Sequence, residues 1–425
     1  MNTDKKYWWK DATFYSLYLD KFAGNFINLT DKLSYLQNLG IDAIWLLPHY
    51  PSPMIDGGYD ITDFLNVRSE LGTLNDFEKF VTEAHVLDIK VIIDITLNHT
   101  SNQHIWFENA SKDLRSSYRD YYIWSNTGKE LLLAENPFSN IKTSNWIPNT
   151  HTNDYYFATF YPQQPDLNWE NPAVLEEMLK ILDFWIDMGV DGFRLDSIPR
   201  IIKEEGTSCV NLPKVHDVVR KIRKHIEKKS SETILVAEND LPINEAKKYF
   251  GNGDECHVGL NFVLGLQLWL SLMGDSQDKL QSAIDQSSGI PDSCSWATFL
   301  NNHDSHALYL LDPETKKRLS KWMDPDYKYS LKPASKTSVR VGEIFNGDKR
   351  RILSAYRKLF DLPGAHILYY GDEIGMRNLP PVAGNKDTRT YVRGDFDWEE
   401  AEKQKEDENS ILTGISEITC HRSIN

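Results

Sequence analysis

The stretch Asp191-Gly-Phe-Arg-Leu-Asp196 has the pattern of a short apolar strand that ends on an arginine and a carboxylate. Three further apolar runs end on reactive polar side chains: residues 91–94 lead to Asn98 and His99, residues 234–237 to Glu238, and residues 298–302 to His303 and Asp304. An Asp after a single strand is commonly a helix N-cap. Four such endings together favour a parallel barrel, which presents its active site at the C-terminal ends of its strands.

Short apolar runs alternate with longer segments of helical period, a pattern typical of parallel βα units. We predict strands at residues 13–19, 43–47, 91–95, 192–195, 234–237, 257–261, 296–300 and 367–370. We predict helices at residues 29–39, 74–87, 173–188, 213–229, 243–250, 264–284, 350–360 and 399–420. The fold expected from this order is α/β, a (β/α)8 TIM barrel.

Residues 100–168 break the alternation, since they are polar, rich in Asn, Tyr and Trp, and only weakly periodic. The segment is too long for a plain loop in a compact domain, so we predict a small subdomain inserted after the third strand. Residues 1–99 and 169–425 would form the catalytic barrel. Residues 310–348 are predicted to form loops over the barrel mouth, and no C-terminal β-sandwich domain is expected.

Composition narrows the classes of partner. The net charge is −15, and the basic run at residues 221–229 alternates with apolar residues, as on a solvated helix face. An acidic surface argues against nucleic acid and against an anionic membrane. No apolar run is long enough to span a membrane, and the first residues lack a leader-like apolar region. The four cysteines, Cys209, Cys256, Cys294 and Cys420, match no metal or disulfide framework. We expect a cytoplasmic protein that needs no cofactor and binds a small neutral substrate; the oligomeric state stays open.

Asp196, Glu238 and Asp304 are the candidate catalytic trio. Cleaving a glycosidic bond with retention needs a carboxylate nucleophile and a carboxylic acid about 5–5.5 Å apart, and neighbouring strand ends can supply that spacing. Arg194 lies two residues before Asp196, on the same strand face, where its guanidinium would keep Asp196 ionised. Glu238 would need a raised pKa to hold its proton, and Asp304 would stabilise a positively charged transition state.

These segments resemble the conserved regions of the α-amylase family of retaining glycoside hydrolases and transglucosidases, over about residues 15–410. The resemblance implies that Asp196 is the nucleophile, Glu238 the acid/base and Asp304 the transition-state stabiliser. It further implies that the substrate is also held by His99, His303 and Arg194. Tyr370-Gly-Asp-Glu-Ile-Gly375 is similar to the family's last conserved region, at the eighth strand.

The resemblance also implies a pocket for one terminal glucose. Asp56-Gly-Gly-Tyr59 is similar to the loop whose Asp binds the glucose hydroxyls and whose Tyr stacks under the ring. Phe160 and Gln164 match positions that line this pocket, although packing or loop capping would explain them equally well. Arg393 is expected to clamp Asp56 and the terminal glucose, with Arg389 as a rival for that role.

Finer motifs resemble those of trehalose synthases and oligo-1,6-glucosidases: Gln164-Pro-Asp-Leu-Asn168, residues 205–213 and Gly253-Asp-Glu-Cys-His257. Two segments on the acceptor side depart from the trehalose synthase pattern, Val392-Arg-Gly-Asp395 and Asn239-Asp-Leu241. We therefore expect a hydrolase or transglucosidase acting on small α-glucosides such as trehalose or maltose, with hydrolysis exceeding isomerisation. The alternatives are a trehalose synthase-type isomerase, a sucrose-type transglucosidase, or an inactive barrel used for binding.

No metal site is expected. A calcium loop after the first strand would need Asp or Asn at alternate positions, which residues 20–26 lack. The ammonium group of Lys203 could instead bridge Asn98 and Asp166 and supply the positive charge. The alternative is that Lys203 is a solvated helix residue.

Overall fold

The structure, a computed structural model, describes residues 7–275, 277–330 and 336–422. The described strands are β1 (Thr13–Leu17), β2 (Ala43–Leu46), β3 (Lys90–Thr96), β4 (Trp124–Ser125), β5 (Trp146–Asn149), β6 (Asp154–Phe157), β7 (Gly192–Asp196), β8 (Ile234–Ala237), β9 (Val258–Leu260), β10 (Ser295–Phe299) and β11 (Ala365–Tyr369). Eight of them form a closed barrel in the order β1-β11-β10-β9-β8-β7-β3-β2. All paired neighbours in it are parallel. The predicted TIM barrel is confirmed.

Most of the longer helices lie between these strands, and the last two follow β11. The helices with at least six residues are Phe26–Asp31, Leu33–Asn38, Leu74–Val86, Ile105–Lys112, Pro172–Asp187, Pro213–Lys229, Phe262–Met273, Gln277–Ser287, Pro313–Met323, Lys349–Phe360, Trp398–Lys405 and Ile411–Arg422. Shorter α-helical turns lie at Leu19–Phe22, Ile243–Ala246 and Val341–Ile344. Two helices, Pro313–Met323 and Val341–Ile344, fall in the stretch 310–348 for which loops were predicted, and residues 331–335 of that stretch lie outside the described residues.

Three predicted helices are each divided into two α-helices. The segment predicted at residues 29–39 is interrupted at Lys32. The segment predicted at residues 264–284 ends its first helix at Gly274, whose φ of 106° suits a glycine C-cap. The segment predicted at residues 399–420 is interrupted after Lys405 and resumes at Ile411. Apolar residues occur on both sides of each break, which is why periodicity alone does not reveal it.

The segment between β3 and β7 holds a separate three-stranded sheet in the order β4-β6-β5, with antiparallel pairing. Two isolated β-bridges connect the earlier part of this segment to its end: one joins His99 to Asp166 and the other joins Tyr122 to Leu167. The boundaries at residues 100 and 168 remain a prediction.

The barrel strands are deeply buried. Strands β1, β2, β7, β8, β10 and β11 are buried at every residue, as expected for parallel strands covered on both faces. In the part of the chain that the structure describes, no helix is long and apolar enough to cross a membrane.

Candidate active site

The three candidate catalytic carboxylates line one cavity at the C-terminal rim of the barrel. Asp196 is the last residue of β7, Glu238 directly follows β8, and Asp304 lies in the connection after β10. Leu195 of β7 pairs with Ala237 of β8, so Asp196 and Glu238 become neighbours where the strands end. The cavity has a volume of about 380 Å³. The fold therefore brings together three groups that are far apart in the sequence.

Arg194 bridges the two carboxylates nearest the barrel axis. Its Nη1 lies 2.6 Å from Oδ1 of Asp196, and its Nη2 lies 2.6 Å from Oε1 of Glu238. On its other side Nη1 lies 2.5 Å from Oδ1 of Asp94, whose second oxygen accepts a 2.8 Å hydrogen bond from Nε1 of Trp45. Because one guanidinium reaches both carboxyl groups, the two lie close together, as retaining double displacement requires.

Burial raises the pKa of both candidate catalytic carboxyl groups that Arg194 contacts, Asp196 and Glu238. The pKa of Glu238 is raised to about 7 and that of Asp196 also to about 7, although Arg194 opposes both shifts. The charge of Asp196 adds to the shift at Glu238. Such a linked pair holds one proton between its two titration steps. The raised pKa predicted for Glu238 is present. That Arg194 keeps Asp196 ionised stays a prediction: its guanidinium, which three carboxylates share, lowers the pKa of Asp196, and burial raises that pKa by more.

Ser197 joins the ends of the two neighbouring catalytic strands. Its φ is 44°, in the left-handed region that residues other than glycine seldom adopt. In this conformation its backbone N–H donates a 2.7 Å hydrogen bond to Oε2 of Glu238. Unusual backbone angles of this kind persist where the surrounding structure enforces them, often at functional sites.

Two guanidinium groups and an imidazole surround Asp304. Its Oδ1 lies 3.3 Å from Nη1 of Arg389 and 3.2 Å from Nη2 of Arg393, and its Oδ2 lies 3.4 Å from Nε2 of His303. Burial alone would raise the pKa of Asp304, but His303, Arg389 and Arg393 together hold it well below its usual range. A permanently negative group at this point can stabilise positive charge that develops on a bound sugar.

Asp56 lies at the buried end of the cavity, where two side chains hold it. Nη2 of Arg389 donates to Oδ1 of Asp56 at 2.6 Å, and Nε2 of Gln164 donates to Oδ2 at 3.0 Å. Arg389 belongs to the 3-10 helix Thr388–Val392 and also lines the cavity. The structure therefore gives the clamp on Asp56 to Arg389.

The role predicted for Arg393 is thereby corrected. Its Nε donates a 3.0 Å hydrogen bond to the carbonyl of His303, and its guanidinium packs against Gly57, where an added Cβ would collide with it. Arg393 follows the short 3-10 helix that carries Arg389, and the two guanidinium groups share Oδ1 of Asp304. Arg393 supports the loop next to Asp56 but makes no ion pair with that carboxylate among the described residues.

Aromatic rings and imidazoles form the wall next to Asp56. The hydroxyl of Tyr59 is hydrogen-bonded to Nε2 of His303 at 2.7 Å, and the two rings stack with centroids 5.6 Å apart. His99 packs edge-on against Phe160. Burial lowers the pKa of His303 to about 3 and also lowers that of His99, so both are neutral hydrogen-bonding groups.

The predicted sugar-binding residues fall into two sets. Those that line the cavity directly are Asp56, Tyr59, His99 and Phe160, and those placed behind this lining are Gln164, Arg194, His303 and Arg393. Asp94 was not predicted, although a carboxylate within an otherwise apolar strand is a signal for it. Its position opposite Arg194 in the β3–β7 register explains its role.

Lys203 occupies the junction between barrel and insertion. Its Nζ lies 2.9 Å from Oδ1 of Asn98 and 2.9 Å from Oδ2 of Asp166, and it also donates to the carbonyl of Arg200. The predicted bridge is confirmed, and the alternative of a solvated lysine is wrong. Within the described ranges, no group of three or more His, Cys, Asp or Glu side chains is placed to hold a metal ion.

Comparison with known proteins connects this geometry to a family. Residues 1–322 match the model of the α-amylase catalytic domain. The trehalose synthase/amylase TreS of Mycobacterium tuberculosis (strain CDC 1551 / Oshkosh) is 38% identical over 390 residues, which are 88% of this chain and 63% of that protein. The probable oligo-1,6-glucosidase 3 of Bacillus subtilis (strain 168) is 32% identical over 394 residues, which are 88% of this chain and 67% of that protein.

Solved structures show the same fold. Isomaltulose synthase from Klebsiella sp. LX3 superposes with a TM-score of 0.74 at 23% identity, over 97% of this chain and 83% of that one. The chain spans 63% of the length of its Mycobacterium tuberculosis relative, somewhat less than two thirds.

Proposed function

Because the chain belongs to the α-amylase catalytic-domain family, we propose that it is a retaining enzyme acting on the terminal glucose of small α-glucosides. The observation that carries the proposal is the arrangement of Asp196 and Glu238 on one guanidinium, with Asp304 beside them. Trehalose- and maltose-type disaccharides are the proposed substrates, since the relatives at 38% identity include a trehalose synthase/amylase.

In the proposed reaction Asp196 attacks the anomeric carbon while Glu238 gives its proton to the leaving oxygen. The resulting glucosyl-enzyme is then attacked by water or by a sugar hydroxyl, whose proton returns to Glu238. Asp304 stabilises the positive charge on the sugar in both steps, and Asp56 with Arg389 holds the hydroxyls of the terminal glucose. The raised pKa of Glu238 suits its role as the acid.

The test is a time course with maltose and with trehalose followed by proton NMR. Hydrolysis gives free glucose as the main product, as expected from the unusual acceptor-side residues. Interconversion of the two disaccharides with little free glucose would assign the chain instead to the trehalose synthase-type isomerases, the second candidate. Turnover of sucrose but of neither glucose disaccharide would contradict the proposed substrates.

A cytoplasmic location belongs to the same proposal. It is supported by the four cysteines, all of which are free.

A further inference from the structure

The cavity has a buried end and an exposed end. At the buried end Asp56 and Tyr59 are each only 5% exposed. At the other end Tyr309 is 58% exposed and the side chain of Glu135 is 45% exposed, although both line the same cavity. A substrate whose terminal glucose lies against Asp56 would therefore point its other end toward Tyr309 and Glu135.

A four-residue cluster, here called the mouth bridge, crosses this exposed end: Glu135, Arg200, Asp240 and Tyr309. Arg200 and Asp240 form a bidentate ion pair, with Nη1 to Oδ1 at 2.8 Å and Nη2 to Oδ2 at 3.1 Å. Nε of Arg200 lies 3.1 Å from Oε2 of Glu135, and the hydroxyl of Tyr309 donates to Oδ2 of Asp240. Bidentate pairs of this kind are geometrically specific and comparatively strong.

The mouth bridge joins four different connections of the barrel. Glu135 lies in the insertion, Arg200 follows β7, Asp240 follows β8, and Tyr309 lies in the 3-10 helix Leu308–Leu310 after β10. Two members of the mouth bridge lie close to the proposed catalytic carboxylates because they are near them in the sequence. Arg200 comes four residues after Asp196, and Asp240 two residues after Glu238, so the Cα of Asp240 is at most about 7.6 Å from that of Glu238.

The loop at residues 205–213 supports the mouth bridge from behind. Its Ser208 carbonyl accepts a 2.9 Å hydrogen bond from the N–H of Glu135, and the N–H of its Asn211 donates to the carbonyl of Pro199 at 2.7 Å. Lys203 holds the carbonyl of Arg200. These contacts fix the backbone of Glu135 and of the turn that carries Arg200.

We propose that the mouth bridge sets substrate length. It ends the acceptor side of the cavity after about one sugar ring, so that disaccharides fit between Asp56 and Arg200 while a third ring meets the ion pair. Specificity of this kind comes from a barrier against the longer substrate rather than from a new attraction for the shorter one. The inference rests on the proposed function, since it concerns the acceptor side of that same site.

The experiment compares kcat/KM for maltose and for maltotriose in the wild type and in the variants Asp240→Ala and Tyr309→Phe, each at its own pH optimum. Tyr309→Phe removes only one hydroxyl and leaves the charges in place. We expect the wild type to prefer maltose, and Asp240→Ala to raise the maltotriose-to-maltose ratio about tenfold, with a smaller rise for Tyr309→Phe. The matched control is Asp275→Ala, since Asp275 forms a bidentate pair with Arg318 at 2.6 Å for both contacts, outside the cavity.

Three results would overturn the proposal: an unchanged ratio in both mouth-bridge variants, an equal rise in Asp275→Ala, or a wild type that uses maltotriose as efficiently as maltose. Folding is checked by the melting temperature. If Asp240→Ala does not fold, Tyr309→Phe still tests the proposal. A wild type that turns over maltose but shows no length preference defeats only this inference. A wild type without turnover of any α-glucoside defeats the proposed function and the inference with it.

Discussion

Arg194 is the residue on which the chemistry of the site depends most, because it touches both carboxylates that would form and break bonds. The nitrogen that contacts Asp196 also lies 2.5 Å from Oδ1 of Asp94, which fixes the guanidinium further. A guanidinium held by several carboxylates cannot favour one of them by moving closer to it. The difference between nucleophile and acid must therefore arise from the other neighbours, such as the Ser197 N–H at Glu238.

Replacing the nucleophile tests its assignment. We expect Asp196→Asn to lower kcat by about four orders of magnitude or more, because the covalent step is lost. The melting temperature should not fall, since the change removes a buried carboxyl group whose pKa burial raises. Single-turnover kinetics and a thermal melt measure the two effects. Near-normal turnover by this variant would defeat the mechanism.

The linked titration of Asp196 and Glu238 predicts the pH dependence. Activity requires the pair to hold one proton, so it falls below the first titration step, when Asp196 is protonated, and above the second, when Glu238 is ionised. Because both pKa values are raised to about 7, we expect kcat/KM to be a bell centred near neutral pH. A plateau extending more than about two pH units above neutral would contradict this expectation.

Some residues of the site could be predicted from the sequence and others could not, as Arg389 and Arg393 illustrate. Motif resemblance located the segment that carries the clamp but not which of two nearby arginines faces the cavity. That choice depends on the tertiary contacts of a short 3-10 helix, in which Arg389 reaches Asp56 and Arg393 reaches the carbonyl of His303, and a helix this short has no periodic signal. Asp196, Glu238 and Asp304 were predictable because each directly follows or closely follows an apolar strand.

Truncation distinguishes the two arginines. We expect Arg389→Ala to raise KM for maltose by about 100-fold, since Asp56 would keep a buried charge without its partner. The control is Arg377→Ala, whose arginine pairs with Glu343 and is 49% exposed. A KM in Arg389→Ala close to the wild-type value would mean that Asp56 does not bind the substrate.

At the scale of elements, the junction between barrel and insertion depends on a buried lysine. The side chain of Lys203 is 4% exposed and that of Asp166 is 0% exposed. Breaking such a pair leaves an uncompensated buried charge, so we expect Lys203→Met to reduce the free energy of unfolding by about 3–5 kcal/mol. Lys214→Ala, which breaks an exposed pair with Glu170, should cost no more than about 1 kcal/mol.

The same junction predicts that EDTA leaves both activity and melting temperature unchanged, because an ammonium group bridges Asn98 and Asp166. Differential scanning calorimetry with EDTA and with added calcium is the measurement. A rise of several degrees with calcium would show that a metal binds the folded state.

The strands were more predictable than the helices. All eight barrel strands lie within a few residues of their predicted positions, because parallel strands buried on both faces are continuous apolar runs. The breaks in the three divided helices were missed, since a break between two apolar faces leaves the local pattern almost intact. The helix Pro313–Met323 was missed because it is short and mostly polar.

At the scale of the whole molecule, the barrel converts four distant sequence segments into one site. Pairing of β1 with β11 closes the barrel, and the three proposed catalytic carboxylates line one cavity at its rim. The mouth bridge could not be predicted from the sequence, since its members come from four connections whose paths depend on the closed barrel and the insertion.

We propose that Asp196 and Glu238 act by double displacement. The anomer of glucose released in the first moments of hydrolysis distinguishes this mechanism from a single displacement. Maltose is mixed with a high concentration of the protein, and the anomeric proton signals of the new glucose are recorded by NMR before mutarotation. Two inversions at the anomeric carbon give net retention, so we expect the glucose from the non-reducing end to appear first as the α-anomer. Initial release of the β-anomer would show a single inverting displacement and would contradict the double-displacement mechanism.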